Sequence, residues 1–469
     1  MTDYIYKRIL VLRLMKKLLS VLFIAAVLVS SIFCVPSNAA YNDYLNKETY
    51  SECLFLMSSD NNEVIFDKNA GMQTAPASLT KIVTAIVVLE NCPDLNAMVT
   101  VSEQCIRELD GTGSSLGGLK AGEQLSVYNL LCCLMLASAN EAATALANYV
   151  TNGDREKFIS MMNETAQKLG CVNSNFVNPH GLDHEDQYVT ARDVATFLLY
   201  AMEFPAFAEI VGKTKYVLPE TNLQKERTIH NTNNLMNKAY SDYYCEYVKG
   251  GKTGTTKNAG YCVASVASKD GYNYVAVCLK SKMVNIDKDY AQENGAFVDA
   301  KTMFEWAFRN IRLVAIADPE KIVTEVKVKY GKSSDYVTLA PAEKVFGLVP
   351  TGINADSLLI QPIEGTVPES VNAPVRKGDV IGKAKVLYAG QVLQEIELVA
   401  TTEVRRSFFA FIGSVAKTVF TSWPFRIIAI IVIIILIFMY RSKKQRAKVN
   451  PKAGKDYKIL NYKDFINLR

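Results

Sequence analysis

Ala75-Pro76-Ala77-Ser78-Leu79-Thr80-Lys81, running into the apolar stretch Ile82-Val83-Thr84-Ala85-Ile86-Val87-Val88-Leu89, decides how this chain is read. Pro76 suits a first helical turn because the N–H it lacks has no helical partner there, and Thr74 is placed to cap. A helix is therefore expected from about Pro76, with Ser78 in its first turn. Residues three apart share a helix face at about 5–6 Å between Cβ atoms, which brings Lys81 to Ser78. A serine hydroxyl needs a neighbour to take its proton, and a lysine serves only if burial or nearby positive charge lowers its pKa. The apolar run beyond Lys81 offers that burial, and the helix start favours negative charge developing on Ser78. Taken alone, Ser-x-x-Lys equally describes a capping serine beside a solvated lysine.

Downstream, Leu130, Leu131, Leu134 and Met135 trace a buried helical face that stops at Ala137-Ser138-Ala139-Asn140, and a second helix is expected over 141–149. Ser138 and Asn140 thus stand at a joint between two apolar helices, where short polar side chains either cap or point together into a cleft. Further on, Tyr247-Val248-Lys249-Gly250-Gly251-Lys252-Thr253-Gly254-Thr255-Thr256 precedes alternating runs at 261–268 and 272–279, joined by Lys269-Asp270-Gly271. That is a hairpin pattern, so the glycine-rich segment reads as an edge strand. A phosphate loop is excluded there, because Glu246 stands where its first glycine belongs and no helix follows.

The remaining elements fit around these three. Leu54–Met57 and Val64–Phe66 flank a polar turn and predict a hairpin. Helices are expected over 158–169, over 190–202 with Thr190 as cap and Asp193 in its first turn, and from Met303 to Phe308, with Trp306 in it. Asn178-Pro179-His180-Gly181-Leu182 reads as a turn. His180 and His184 have metal-ligand spacing, but Gly181 breaks the helix that would align them, so no metal is expected. From 318 to 402 short strand-like runs are separated by Gly, Pro and Asp, which predicts a smaller β-rich domain serving as spacer or interaction module.

The chain ends carry targeting signals. Five basic residues, the apolar run 18–35 and Ser37-Asn38-Ala39 predict a signal peptide over 1–39. Residues 427–440 are apolar but, at fourteen residues, short of the ~20 that a span requires; extending the segment back to Phe420 supplies the length, so an anchor is expected over 421–440. The tail 441–469 holds ten Lys/Arg against two Asp/Glu, which places it in the cytoplasm and the bulk of the chain outside. Within 403–420, Phe408, Phe411, Ile412, Val415 and Val419 share a face, predicting an amphipathic helix on the outer leaflet. An anchor lying wholly in the interface is the alternative. The formal charge is +5, of which the tail supplies +8 and residues 1–39 supply +4, leaving −7 on the exported part. Nucleic acid is excluded as a partner on that balance. Ten cysteines, one of them Cys34, leave an odd nine in the mature chain with no Cys-x-x-Cys, so core thiols are expected instead of a disulfide framework.

Ser78-Leu79-Thr80-Lys81, Ser138-Ala139-Asn140 and Lys252-Thr253-Gly254, in that order, resemble the three-part signature of the penicillin-recognising serine enzymes. The spacing, the 178–182 turn, the trailing β domain and the C-terminal anchor look like the low-molecular-weight penicillin-binding proteins, serine-type D-Ala-D-Ala carboxypeptidases of the S11 kind. The likeness covers roughly 41–402. It implies an α+β fold, an antiparallel sheet flanked by helices, with the catalytic domain over 40–317. It implies that Ser78 attacks the penultimate D-alanine carbonyl of a peptidoglycan stem peptide, Lys81 takes the proton, and Ser138 relays one to the leaving D-alanine. Asn140, Lys252, Thr253, Gly254 and Thr255 would bind the peptide, with the Ser78 and Thr255 amides as oxyanion hole. β-Lactams would acylate the same serine, and no cofactor is called for. Two departures stand out. Thr255 takes the place of a histidine found in some relatives, and Ala296-Phe297-Val298 stands where some carry a basic residue before the Trp-containing helix. A β-lactamase would need a carboxylate to activate water, and none is evident. A non-catalytic sensor on the same fold is the remaining alternative.

Overall fold

The computed structural model describes residues 49–284, 293–388 and 390–449. The expected signal peptide and most of the basic tail lie outside the described residues. Two compact units emerge. One takes the chain through Ile316 together with Val345–Leu359 and Val386–Gln394, and the other takes Ala317–Lys344, Ile360–Lys385 and the chain from Glu395.

The first unit is built on an antiparallel sheet of β1 (Cys53–Ser58), β2 (Val64–Lys68), β3 (Val248–Thr256), β4 (Gly260–Lys269) and β5 (Tyr272–Ser281). Their order is β2-β1-β5-β4-β3, so the glycine-rich strand is an edge, as its sequence predicts. Successive side chains of a strand point to opposite faces, and both faces here are apolar. Val275, Val277 and Leu279 join one buried cluster with Phe55, while Ala276, Cys278, Leu54 and Leu56 join another. The first face is covered by helices, among them α5 (Ala191–Met202); the second is covered by α6 (Gly295–Asn310). Full burial of each Val, Leu or Phe is worth about 1.5–3 kcal/mol, so the sheet is held from both sides.

The helices on the first face are α1 (Thr80–Asn91), α2 (Val127–Met135), α3 (Asn140–Thr151), α4 (Arg155–Lys168) and α5. Thr190 caps α5 by accepting from Asp193 N, as expected. The start of α1 differs from the expectation. Ala77–Leu79 form a 3-10 turn, Thr80 opens the α-helix, and Thr74 makes no cap. Thr74 instead exchanges backbone hydrogen bonds with Val189 at 2.9 Å each way. Helix α6 also departs, starting at Gly295 and not Met303, with Asn294 as cap. Ala296 and Phe297 are therefore buried residues of its first turn, and the chain preceding this helix is 285–294.

A second sheet, most of which belongs to the second unit, consists of β6 (Thr324–Lys329), β7 (Tyr336–Pro341), β8 (Leu359–Pro362), β9 (Ser370–Asn372), β10 (Val380–Tyr388) and β11 (Gln391–Ala400), ordered β8-β10-β11-β7-β6-β9. Val345 and Leu348, read from sequence as part of this β region, lie instead in a strand paired with Ile311–Ala317. Leu348 belongs to the apolar cluster of the first unit. Two further helices follow, α7 (Phe408–Thr421) and α8 (Trp423–Val449), and Trp423–Lys444 is long and apolar enough to cross a membrane.

Candidate active site

The 3-10 turn that carries Ser78 is held from below. Gly181, at φ +90°, passes so close that a Cβ there would sit 1.9 Å from the Ala77 carbonyl oxygen. Ala77 itself adopts φ +47°, a conformation that costs an L-residue about 1–2 kcal/mol. Above, β3 closes in, since a Cβ on Gly254 would lie 3.0 Å from Ser78 N. Glycine at 181 and 254 is thus what lets a loop and a strand clasp the turn.

Lys81 is fully buried, and its Nζ lies 2.8 Å from Ser78 Oγ, 2.6 Å from Asn140 Oδ1 and 2.6 Å from the His180 carbonyl; as the neutral amine it donates to the last two and accepts from the Ser78 hydroxyl. None of these oxygens is charged. Burial, reinforced by Lys252 and opposed by Glu141, holds the Lys81 ammonium well below its usual range. The sequence pairing of Ser78 with Lys81 is therefore realised, and the neutral amine is the form its surroundings favour. His180, read as a lone histidine in a turn, contributes its main-chain carbonyl. Burial first, then the Lys81 and Arg155 charges, bring its imidazole down to about 3, so it carries no charge at neutral pH.

The turn around His180 is set by side chains that sequence reasoning passed over. Gln187 Oε1 accepts from the Val177 and Asn178 amides at 3.0 Å each, and Asn178 Oδ1 accepts from Gly181 N at 2.7 Å. Thr84, one turn beyond Lys81, donates to the Pro179 carbonyl at 2.6 Å. A main-chain acceptor leaves no residue-type signature, although Asn178 and Gly181 mark the turn that presents it.

Lys252 arrives from β3. It is 1 % exposed, and its Nζ donates to Ser138 Oγ at 3.0 Å and to the Thr253 carbonyl at 2.8 Å. Burial alone lowers its pKa to about 7. Ser138 sits at φ +57° in the joint between α2 and α3, and Asn140 opens α3. Two polar groups result, Ser78–Lys81–Asn140 and Ser138–Lys252, and the second acts on the first through the Lys252 charge felt at Lys81. Thr253 Oγ1 lies 2.6 Å from Thr232 Oγ1, a contact no motif foreshadowed. Thr255 is exposed beside them, and Gly254 is buried against the turn.

The D-alanyl-D-alanine carboxypeptidase profile, peptidase S11, matches residues 40–283, just over half of the chain. The chain belongs to the D-alanyl-D-alanine carboxypeptidase family. A second profile, penicillin-binding protein 5 C-terminal domain, matches residues 313–406. Family membership bears out the fold class and enzyme class expected from the motifs. D-alanyl-D-alanine carboxypeptidase DacF of Bacillus subtilis (strain 168) is 28 % identical over 397 residues, covering 84 % of this chain and 96 % of its own. DacC of Escherichia coli (strain K12) is 30 % identical over 388 residues, covering 78 % and 88 %. Penicillin-binding protein 5 from Haemophilus influenzae shares the fold at TM-score 0.59 and 24 % identity, covering 77 % of this chain and 99 % of that one. The Streptomyces K15 DD-transpeptidase aligns at TM-score 0.50 and 26 % identity over 56 % of this chain and 98 % of its own. This family member also has nine free, buried cysteines among the described residues, as the sequence led us to expect of core thiols.

Proposed function

We propose that this enzyme removes the terminal D-alanine from peptidoglycan stem peptides through an acyl intermediate on Ser78. The observation that carries the reading is the 2.8 Å contact from Lys81 Nζ to Ser78 Oγ, made by a lysine with only neutral acceptors around it. In the cycle, neutral Lys81 takes the Ser78 proton as Oγ bonds to the carbonyl carbon of the penultimate D-alanine. The carbonyl oxygen becomes an oxyanion facing the Ser78 and Thr255 amides. As the C–N bond breaks, Ser138, bridged to Lys252, gives its hydroxyl proton to the departing D-alanine amine and takes up the proton held by Lys81, which returns that base to the neutral amine. Water then adds to the ester, loses its proton to the same base, and frees the shortened peptide with Ser78 restored. Asn140 holds Lys81 and the peptide; Lys252, Thr253, Gly254 and Thr255 bind the strand-like substrate and its carboxylate. A β-lactam carbonyl meets the same nucleophile, so such compounds would acylate Ser78.

The same proposal extends to location. Residues 1–39 direct export, 40–317 hold the catalytic domain and 318–402 the β domain. Trp423–Lys444 spans the cytoplasmic membrane with the basic tail inside. The exposed Phe408, Phe411, Ile412, Val415 and Val419 of α7 lie on the outer leaflet.

Mass spectrometry of a muropeptide pentapeptide incubated with the enzyme tests the reaction. Loss of one alanine, abolished in Ser78→Ala, is expected. An intact pentapeptide together with fluorescent-penicillin labelling of Ser78 would replace the enzyme with a β-lactam sensor on the same fold.

A further inference from the structure

Glu141 is a buried carboxylate for which the reaction above has no use. It follows Asn140 in the first turn of α3 and is 1 % exposed. Its Oε1 accepts from Gly117 N at 2.6 Å and from Leu119 N at 3.2 Å, and its Oε2 has no hydrogen-bonding partner among the described residues. Burying a carboxylate costs several kcal/mol unless its surroundings compensate, so a group this incompletely satisfied calls for an explanation.

The two amides belong to the segment Ser115–Leu119, which lies over the Ser138-Ala139-Asn140 joint. Asn140 N donates to the Ser115 carbonyl at 3.0 Å. Gly117 lies so close to the joint that a Cβ there would sit 2.9 Å from Ala139 Cβ. On its outer side the segment is tied by Gln224 Nε2, which donates to the Gly118 carbonyl at 2.9 Å. Glu141 is therefore the inner clamp of a strap that passes over the backbone of Asn140, and Asn140 Oδ1 is the acceptor that orients Lys81.

We propose that Glu141 is a positioning residue for the acylation step, clamping the Ser115–Leu119 strap so that Asn140 holds Lys81 on Ser78, while its negative charge opposes that of Lys252 at the base. This rests on the function proposed above. The second role follows from the charges around it. Lys81 of α1 and Cys133 of α2 both feel Glu141. Cys133 also feels Glu123 and Arg227, and Lys81 also feels Lys252 of β3. Lys252 drives Lys81 toward the neutral amine, and Glu141 pulls it back toward the ammonium. Glu141 in this way limits how far the base is weakened, since an amine with too low a pKa accepts a proton poorly.

Three variants separate the roles, read as the second-order rate of Ser78 acylation by a fluorescent penicillin against pH. Glu141→Gln keeps an oxygen for the two amides and removes the charge. Its rate at the pH optimum is expected within about threefold of the parent, with the acid limb moved to lower pH, because losing the carboxylate favours neutral Lys81. Glu141→Ala removes the clamp as well and is expected to acylate about a hundredfold more slowly, as misplaced catalytic groups do. Glu141→Asp, one methylene short, is expected to fall between. Circular dichroism establishes that each variant is folded. An acid limb that is unmoved or raised in Glu141→Gln overturns the electrostatic role, and a folded Glu141→Ala with the parental rate overturns the clamp. Failure of the parent itself to label would instead count against the reading of Ser78 as nucleophile.

Discussion

Lys252 Nζ donates to Ser138 Oγ across 3.0 Å with no ion-pair partner among the described residues. Its pKa is lowered from 10.5 to about 7 by burial. Below about pH 7 the folded and unfolded chains both hold the proton, and the full cost of burying the ammonium is present. Between about 7 and 10.5 only the unfolded chain holds it, so this group makes folding more favourable as pH rises. Lys252→Met removes the penalty. Its melting temperature is expected to exceed that of the parent most near pH 6, with the gap narrowing steadily above pH 7 and closing only near pH 10.5 in scanning calorimetry. A gap that widened with pH would contradict the burial account.

The contact from Lys81 to Asn140 gives a second prediction. Asn140→Asp places a carboxylate on the base, which favours the ammonium and shifts the acid limb of the acylation profile to higher pH. Asn140→Ala removes one of the three contacts to Lys81 and is expected to lower the acylation rate about a hundredfold. Stopped-flow acylation across pH reads both. An Asp variant with an unshifted limb would mean that this contact does not govern the base.

Gly181→Ala is expected to destabilise the protein by about 3 kcal/mol, because the new Cβ meets the Ala77 carbonyl at 1.9 Å from a backbone at φ +90°. Gly153→Ala provides the control, with a similar φ of +88° and nothing within 4 Å. It should cost only about 1–2 kcal/mol. Urea melts of the pair distinguish packing from backbone strain, and equal losses would remove the clasp from the argument. Activity should fall only in the first, since the His180 carbonyl and Ser78 move with Gly181.

The thiols make a fourth test. All nine are buried, and burial pushes Cys53 up to about 11 and Cys132 up to about 12, which leaves little thiolate to react. A protein beginning at residue 40 is expected to be inert to Ellman's reagent when folded and to release nine equivalents in guanidinium. Rapid labelling of the native protein would show that one of these cysteines is not part of the core.

The sequence announced those parts of the site whose chemistry resides in side chains and whose positions follow from periodicity. Ser78 and Lys81 three apart, Ser138 and Asn140 at a helix joint, and Lys252 before a hairpin were each readable from local pattern. The Thr190 cap was equally plain. What escaped was fixed by tertiary contact. Thr74 had a capping residue's chemistry but was drawn into backbone pairing with Val189, and Ala77 took a left-handed conformation against Gly181. The His180 carbonyl acts through a group every residue possesses. Helix α6 begins eight residues early because Asn294 caps it and Asp299, in its second turn, receives the Tyr50 and Ser51 amides. Gly295 there concealed the start, yet a Cβ at that position would lie 2.6 Å from Tyr50 Cβ.

The edge position of β3 has a consequence for the newborn chain. Lys252 reaches Ser138 only after β4 and β5, which follow it in sequence, have joined β1 to complete the sheet that carries it. Such distant pairings form late in folding because their loop-closure cost comes first. A half-made polypeptide therefore possesses the serine and its lysine but lacks the second lysine in place, and its hydrolytic power is withheld until the last strands close. The bond-cutting centre comes armed only with the finished molecule.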